Sequence, residues 1–281
     1  MKMDTTRLCA WCGFVAFGFW IVGFFFLFGL QAGFVPAPSP QTPIPELTNM
    51  YRQHQIAIRA GLLLFSVGSG LVIPWAVSIS MVLKRIEGRY APLAWCNALL
   101  GALLLIFNVI PLFFFQVAAY RAERSDELIY LLSDIGWIMF LGGLFSVIPQ
   151  GLVIAIAIFK DRSDTPFIPR WVGYLNIWFV VTMCSGLLLY FFKDGPFAWN
   201  GVLTFWVAWV GFFAWWLVMP TVVIKATYRI EREAAALGHQ IADDDTDTIQ
   251  RLELLRAEFQ LLSDRVQEGE DLRLRSIHPR Q

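Results

Sequence analysis

Residues 9–34 read CAWCGFVAFGFWIVGFFFLFGLQAGF, a stretch without a single charged side chain. A helix needs about 20 apolar residues to cross the hydrocarbon core of a bilayer, so this stretch is long enough to span a membrane. Five further apolar stretches of comparable length follow at 56–83, 93–120, 128–159, 171–192 and 202–223. The sequence therefore predicts an all-α membrane protein: a six-transmembrane-helix bundle over residues 1–225, followed by a cytoplasmic charged helical tail over residues 226–281.

Composition supports the membrane assignment. Hydrophobic residues make up 57% of the chain and the mean hydropathy is +0.57, whereas soluble domains are about 45–50% apolar. The principal partner is therefore the lipid bilayer. The net charge is zero and no basic patch stands apart from the ordinary loop charges, so no nucleic acid is expected as a partner.

Lysine and arginine are distributed unevenly between the two sides of the predicted bundle. Eleven lie at the N-terminus, in the second and fourth connections and just after the last span: Lys2, Arg7, Lys84, Arg85, Arg89, Lys160, Arg162, Arg170, Lys225, Arg229 and Arg232. Four lie in the other connections: Arg52, Arg121, Arg124 and Lys193. By the positive-inside rule, the sequence predicts a multi-pass protein of the cytoplasmic membrane with both termini in the cytoplasm.

The first outer connection contains five prolines within residues 36–45. Such a run favours an extended polyproline II conformation over helix or inner strand. Two interpretations remain open, a stiff surface spacer and a lid over the outer mouth of the bundle.

The charged tail contains an apolar heptad pattern. The spacing of Leu252, Leu255, Phe259, Leu262 and Val266 alternates between three and four residues, which predicts an amphipathic helix with a short coiled-coil seam. About three heptads are marginal alone. The seam is therefore expected either to form a homo-oligomer through this C-terminal helix or to dock on the chain's own cytoplasmic loops.

Two charged residues lie within the predicted spans. Arg59 and Asp134 both fall in the outer third of the membrane, where an ion pair would offset the cost of burying either charge. Gln116 lies at a similar depth, and His54 lies just above. We therefore expect Arg59 and Asp134 to be direct partners.

The third span carries small and polar residues on one face. Asn97, Gly101 and Asn108 share that face by the 3.6-residue period, and such faces pack inward in membranes. One interpretation is an outward-facing binding pocket built from Arg59, Asp134, Gln116, Asn108 and His54. The other is a structural clamp that fixes the register of the central helices.

Motifs for enzymatic chemistry are sparse. The only histidines are His54, His239 and His278, and no phosphate loop, G-x-S-x-G elbow or H-E-x-x-H motif occurs. The sequence therefore predicts no catalytic residue, no metal site and no cofactor. It favours non-enzymatic binding or passage of a small amphipathic or apolar solute. The alternatives are a scaffold or accessory subunit of a membrane complex, and an embedded enzyme in which His54, Arg59 and Asp134 converge on one cavity.

Four short stretches carry a resemblance: LKRIEG at 83–88, DIGW at 134–137, PRWVGY at 169–174 and GPFAWNG at 195–201. They resemble a family of bacterial six-span membrane proteins of unknown function. The resemblance covers residues 5–225 and leaves out the tail. It implies a six-span fold in a bacterial inner membrane, and no particular activity, cofactor or site residue.

Overall fold

The computed structural model of the chain describes residues 5–143, 145–236, 252 and 254–256. Every regular element among these residues is helical, and six helical segments are long and apolar enough to cross a membrane. They are Thr5–Gln31, Gln55–Glu87, Pro92–Tyr120, Asp126–Lys160, Arg170–Tyr190 and Gly195–Ala236. The prediction of a six-helix membrane bundle is confirmed.

Most of the six spans are assembled from more than one element. In chain order the elements are α1 (Thr5–Trp20), the π-helix π1 (Ile21–Gln31), α2 (Ile44–Gln53), α3 (Gln55–Gly70), α4 (Val72–Glu87), α5 (Pro92–Tyr120), α6 (Asp126–Gly142), α7 (Val147–Lys160), α8 (Arg170–Cys184), two 3₁₀-helices (Ser185–Tyr190 and Gly195–Phe197), the π-helix π2 (Val202–Val207) and α9 (residues 208–236). Helix α5 packs against α3, α4, α6 and α7. Its opposite face, with Leu99 and Phe113, is exposed and contacts the lipid bilayer.

The first two spans approach each other most closely at a pair of glycines. A Cβ atom added to Gly23 in π1 would lie 2.5 Å from the carbonyl oxygen of Gly61 in α3, and the reverse is also true. Small residues permit such backbone contact between membrane helices, which gain stability there from van der Waals packing. The pair therefore fixes how π1 lies against α3.

The second and fourth spans are each broken once, and the same tripeptide begins the helix after each break. The second is interrupted at Leu71 and the fourth after Gly142, and Val-Ile-Pro follows at 72–74 and at 147–149. Proline is tolerated in a first helical turn because the N–H groups there have no acceptor within the helix. Pro74 and Pro149 therefore lie in the first turns of α4 and α7, whereas Pro111 lies within α5 without ending it.

The proline-rich connection is held by Trp199, just before π2, and by Tyr130 of α6 at one end of the bundle, called here the capped end. Trp199 Nε1 donates a hydrogen bond of 2.6 Å to the carbonyl oxygen of Pro38. The Tyr130 hydroxyl donates one of 3.2 Å to the carbonyl oxygen of Pro40. These bonds hold the segment against the bundle, and it is called here the lid. That it covers an outer mouth stays a prediction.

The short helix α2 continues this lid, and Tyr51 fastens it. The Tyr51 side chain is fully buried, and its hydroxyl donates to Ser133 Oγ at 3.1 Å. Its ring meets that of Phe34, which stacks in turn on Phe28. Burial raises the pKa of the Tyr51 phenol well above its usual range, because the phenolate would lose its hydration. Tyr51 therefore remains a hydrogen-bond donor.

At the opposite end, the loop between α7 and α8 is organised by Asp161 and Arg229. Arg229 donates to the carbonyl oxygens of Thr165 and Pro166. Burial by itself raises the pKa of the Asp161 carboxyl. Hydrogen bonds from Ser163 and Phe167 and the charge of Arg229 outweigh that effect, so its pKa is lowered overall.

The chain divides into two compact units, Met1–Arg229 and Ile230–Gln281. In the second unit, residues 230–236, 252 and 254–256 are described, and all of them are helical. The side chains of Leu252 and Leu255 are exposed. The other seam positions, Phe259, Leu262 and Val266, lie outside the described residues. The coiled coil and the homo-oligomer therefore stay predictions.

The glycine contact gives a direct test of the packing. We expect Gly23→Ala to lower the free energy of unfolding by about 1–3 kcal/mol, because the added methyl group overlaps the backbone of α3. The matched control is Gly18→Ala in the same span, where no atom lies within 4 Å of the added Cβ. Thermal unfolding in detergent measures both, and equal melting temperatures for the two variants would contradict the contact.

Candidate functional site

Arg59 faces away from the interior of the bundle. Its side chain is exposed, and its guanidinium carbon lies 5.1 Å from the centroid of the Tyr120 ring. Its carbonyl oxygen accepts a 3.1 Å hydrogen bond from Gln116 Nε2. Ile56 and Leu63, three residues before and four after, are 84% and 60% exposed. Arg59 therefore belongs to the lipid-facing stripe of α3.

The expected ion pair between Arg59 and Asp134 is not formed. Asp134 is half-buried on α6, and no ion pair joins it to Arg59 in the described part of the chain. Ile58 and Leu62 occupy the buried face of α3, and a turn of about 100° per residue takes Arg59 off that face. This corrects the sequence interpretation, which matched the two charges by depth without knowing their direction around the helix.

An ion pair that the sequence analysis did not identify forms at the capped end. Arg52, in the last turn of α2, pairs with Asp126, in the first turn of α6. Arg52 Nε also donates to the carbonyl oxygen of Ala122, and Arg52 Nη2 to that of Arg124. The two side chains of the pair are 33% and 44% exposed, so the pair contributes little by charge alone. Its geometric effect is to tie α2 to the α5–α6 connection.

Part of the small and polar face predicted for the third span, which is now α5, forms a structural clamp. Asn97 Nδ2 donates to Ser80 Oγ and to the carbonyl oxygen of Ala76, both at 2.9 Å. Gln150 Nε2 donates to Asn97 Oδ1 at 3.2 Å. Asn97 is fully buried, and the network joins α4, α5 and α7. Gly101 lies one turn further on, where its missing side chain lets α5 approach Ala76.

Asn108, three turns along α5 from Asn97, has a different environment. Its Nδ2 atom is buried and has no hydrogen-bond partner among the described residues. Two adjoining cavities of about 90 Å³ and 50 Å³ share it as a wall residue, together with Trp20, Met183 and Phe212. The wall shared by the two cavities therefore includes a residue whose amide donor has no partner among the described residues.

The walls of the larger cavity are mainly aromatic. They include Trp20, Phe24, Phe65, Phe140, Trp209 and Phe213. The ring of Trp20 lies 5.1 Å from that of Phe65, and the ring of Phe24 lies 4.9 Å from that of Phe140 and 5.5 Å from that of Trp209. Separations of this size are typical of favourable aromatic pairs. The rings support one another and leave their remaining faces to the cavity.

Both π-helices border this cavity. Ile21, Phe24 and Phe25 belong to π1 and Thr204 to π2, and all four are wall residues. π-helical turns are rare and occur frequently at functional sites. Their coincidence at one cavity marks this as the candidate functional site.

The other described core amides have partners, which sets Asn108 apart. Asn176 Nδ2 donates to the carbonyl oxygen of Val172 at 2.8 Å, and Asn176 Oδ1 accepts from Trp215 Nε1 at 2.9 Å. Asn97 and Gln150 are bonded within the clamp.

The five side chains of the predicted pocket are thus distributed over separate places. Asn108 lines the core cavity, and Arg59 lies on the lipid face. Gln116 is half-buried and donates to the carbonyl oxygen of Arg59, and Asp134 is half-buried on α6. His54 lines an open groove at the capped end. Within the described ranges, no three His, Cys, Asp or Glu side chains come together where they could hold a metal ion.

The cavity itself was not predicted from the sequence. The available signal was the pair of asparagines on one face of α5, which identified Asn108 without its surroundings.

Compared with models of known protein families, with curated proteins and with solved structures, the chain has no match. The resemblance of the four short stretches therefore stays a prediction.

We expect opposite results from two double-mutant cycles, one on Arg52 with Asp126 and one on Arg59 with Asp134. We expect Arg52→Met and Asp126→Leu to be coupled by about 0.5–1 kcal/mol, because the half-exposed pair is in contact. We expect Arg59→Met and Asp134→Leu to be additive within about 0.5 kcal/mol, because these residues do not touch. Thermal unfolding in detergent measures all the variants, and coupling in the second cycle would restore the pair inferred from the sequence.

Proposed function

We propose that this protein binds a small, ring-sized apolar molecule with one hydrogen-bond acceptor in the aromatic cavity, without transforming it chemically. The observation that carries the proposal is the buried Nδ2 atom of Asn108, a cavity wall residue, which has no hydrogen-bond partner in the part of the chain that the structure describes. A buried donor without a partner costs about 1–3 kcal/mol. A bound ligand with a carbonyl or ether oxygen would recover that cost, whereas a hydrocarbon would not.

The size of the space restricts the ligand. An apolar cavity of about 150 Å³ in another protein accommodates benzene, and the two adjoining cavities here measure about 90 and 50 Å³. Neither cavity alone reaches that size, so one six-membered ring with an attached oxygen would have to occupy both. Aromatic walls favour a flat or cyclic molecule, since ring faces offer broad contact at low conformational cost.

The helical irregularities support a binding role over a purely structural one. The regular α-helix is the usual way to satisfy the backbone of a membrane span, and π-helical turns are uncommon. Here π1 extends over eleven residues and π2 over six, and both border the cavity. Passage of the solute across the membrane would use the same cavity as an intermediate site.

A matched pair of ligands and a matched pair of variants test the proposal. We expect cyclohexanone to bind the purified protein about fivefold more tightly than methylcyclohexane, because only the ketone accepts a hydrogen bond from Asn108. We expect Asn108→Leu to abolish this preference and to leave the unliganded protein as stable as the parent or more so, since it removes an unpaired donor. Thermal unfolding at fixed detergent concentration, with increasing amounts of each ligand, measures both effects.

Gln116→Leu is the control for this experiment. It removes an amide from the same helix, but one that is bonded to the carbonyl oxygen of Arg59 and does not line the cavity, so the ketone preference should persist. A parent protein that does not distinguish the two ligands would overturn the proposal. Loss of the preference in Gln116→Leu but not in Asn108→Leu would also overturn it.

We further propose that the protein lies in the cytoplasmic membrane of a bacterial cell with both termini in the cytoplasm. The eleven-to-four asymmetry of Lys and Arg in the sequence supports this orientation. It implies that the capped end faces outward, so a ligand would meet the lid before the core.

Cysteine labelling in intact cells tests the orientation. After replacement of the four native cysteines, single cysteines at Gln41 and Asp194 should react with a membrane-impermeant maleimide. Single cysteines at Arg89 and Asp164 should react only after the cells are opened. All four positions are exposed, and the reverse labelling pattern would invert the orientation.

A further inference from the structure

A second binding feature lies at the capped end, away from the aromatic cavity. It is an open groove of about 620 Å³ between the end of π1 and the junction of α2 with α3. Its polar wall consists of Gln31, Arg52, Gln53, His54 and Gln55. Its apolar floor consists of Leu27, Ile56, Ala57 and Ala60.

The two parts of the groove lie at different levels of the membrane. One span ends at Gln31 and the next begins at Gln55, so the polar wall is at the boundary between water and hydrocarbon. The floor residues lie within those spans. Ile56 is 84% exposed, which leaves an apolar surface that only lipid or a lipid-like molecule would cover.

One donor of the polar wall, the Arg52 guanidinium, is positioned before any ligand arrives. The Arg52 guanidinium is held by Asp126 and by the carbonyl oxygens of Ala122 and Arg124. Its Nη1 atom and the imidazole of His54 make no hydrogen bond to another described residue. None of the nine described lining residues carries a carboxylate.

We infer that this groove binds the phosphate group of a membrane phospholipid, with one acyl chain lying along the apolar floor. Arginine and amide donors make charge-assisted hydrogen bonds to phosphate oxygens, and the polar wall lies at the level of the lipid headgroups, just outside the hydrocarbon core. A free phosphate ion offers the same chemistry to the wall. It would leave Leu27, Ile56 and Ala60 uncovered, so the floor specifies the lipid.

Short-chain lipids and paired variants test the inference on the full-length protein in detergent. The probe is dihexanoyl phosphatidylglycerol, with sodium phosphate at matched ionic strength as the free-anion arm. We expect the lipid to raise the melting temperature in a saturable way and phosphate to leave it unchanged. We expect His54→Glu, which repels the headgroup, and Ala60→Phe, which fills the floor, each to weaken the lipid effect at least about fivefold.

Two controls on α3 separate the groove from the general lipid surface. Arg59→Gln removes a charge outside the groove, and Leu63→Phe enlarges an exposed apolar residue outside it. Both should retain the full lipid effect. If His54→Glu does not fold, Ala60→Phe against Leu63→Phe decides the question alone.

Three outcomes would overturn the inference. Equal lipid affinity in all variants would mean that the lipid acts through the general bilayer surface. Loss of the effect in the controls as well would mean that it is not localised to the groove. A phosphate effect as large as the lipid effect and insensitive to Ala60→Phe would mean a free-anion site.

Discussion

The backbone contact between Gly23 and Gly61 is the constraint on which the interior of this bundle depends. Because the two main chains touch, no side chain fits between π1 and α3 at that level. The side chains of the neighbouring residues in π1 must therefore point to other parts of the bundle, and those of Phe24 and Phe28 are buried. There Phe24 meets the rings of Phe65 and Phe140, which line the cavity. A contact that involves no side chain thus determines where the aromatic rings collect.

The number of spans could be predicted from the sequence because the bilayer imposes so strict a rule. Every backbone group in hydrocarbon must be bonded internally, so length and apolarity suffice to identify a spanning helix. The inward face of α5 was predictable for a related reason, since polar side chains avoid lipid. Asn97 and Asn108 do both lie inside. Among the described residues, Asn97 has hydrogen-bond partners and Asn108 Nδ2 has none. The difference depends on Ser80 and Gln150, which belong to other helices.

The sequence did not reveal in which direction around its helix axis the Arg59 side chain points. Arg59 and Asp134 agree in depth, yet Arg59 belongs to the lipid-facing stripe. The π-helices were missed because extra residues per turn leave an apolar run unchanged in composition. Helix α2 was concealed by the prolines around it, although Pro45 at its second position is typical of a helix N-terminus.

The capped end is fastened in a way that bears on how this sequence can drift during evolution. The side chains of Trp199, Tyr130 and Arg52 all donate hydrogen bonds to main-chain carbonyl oxygens, including those of Pro38 and Pro40. A carbonyl is the same whichever residue carries it, so the segments that accept these bonds can change in amino-acid sequence as long as their backbone path is kept. Selection should therefore act on the donating side chains. Related chains would then preserve an aromatic or arginine residue at these three positions while the segments beneath them diverge.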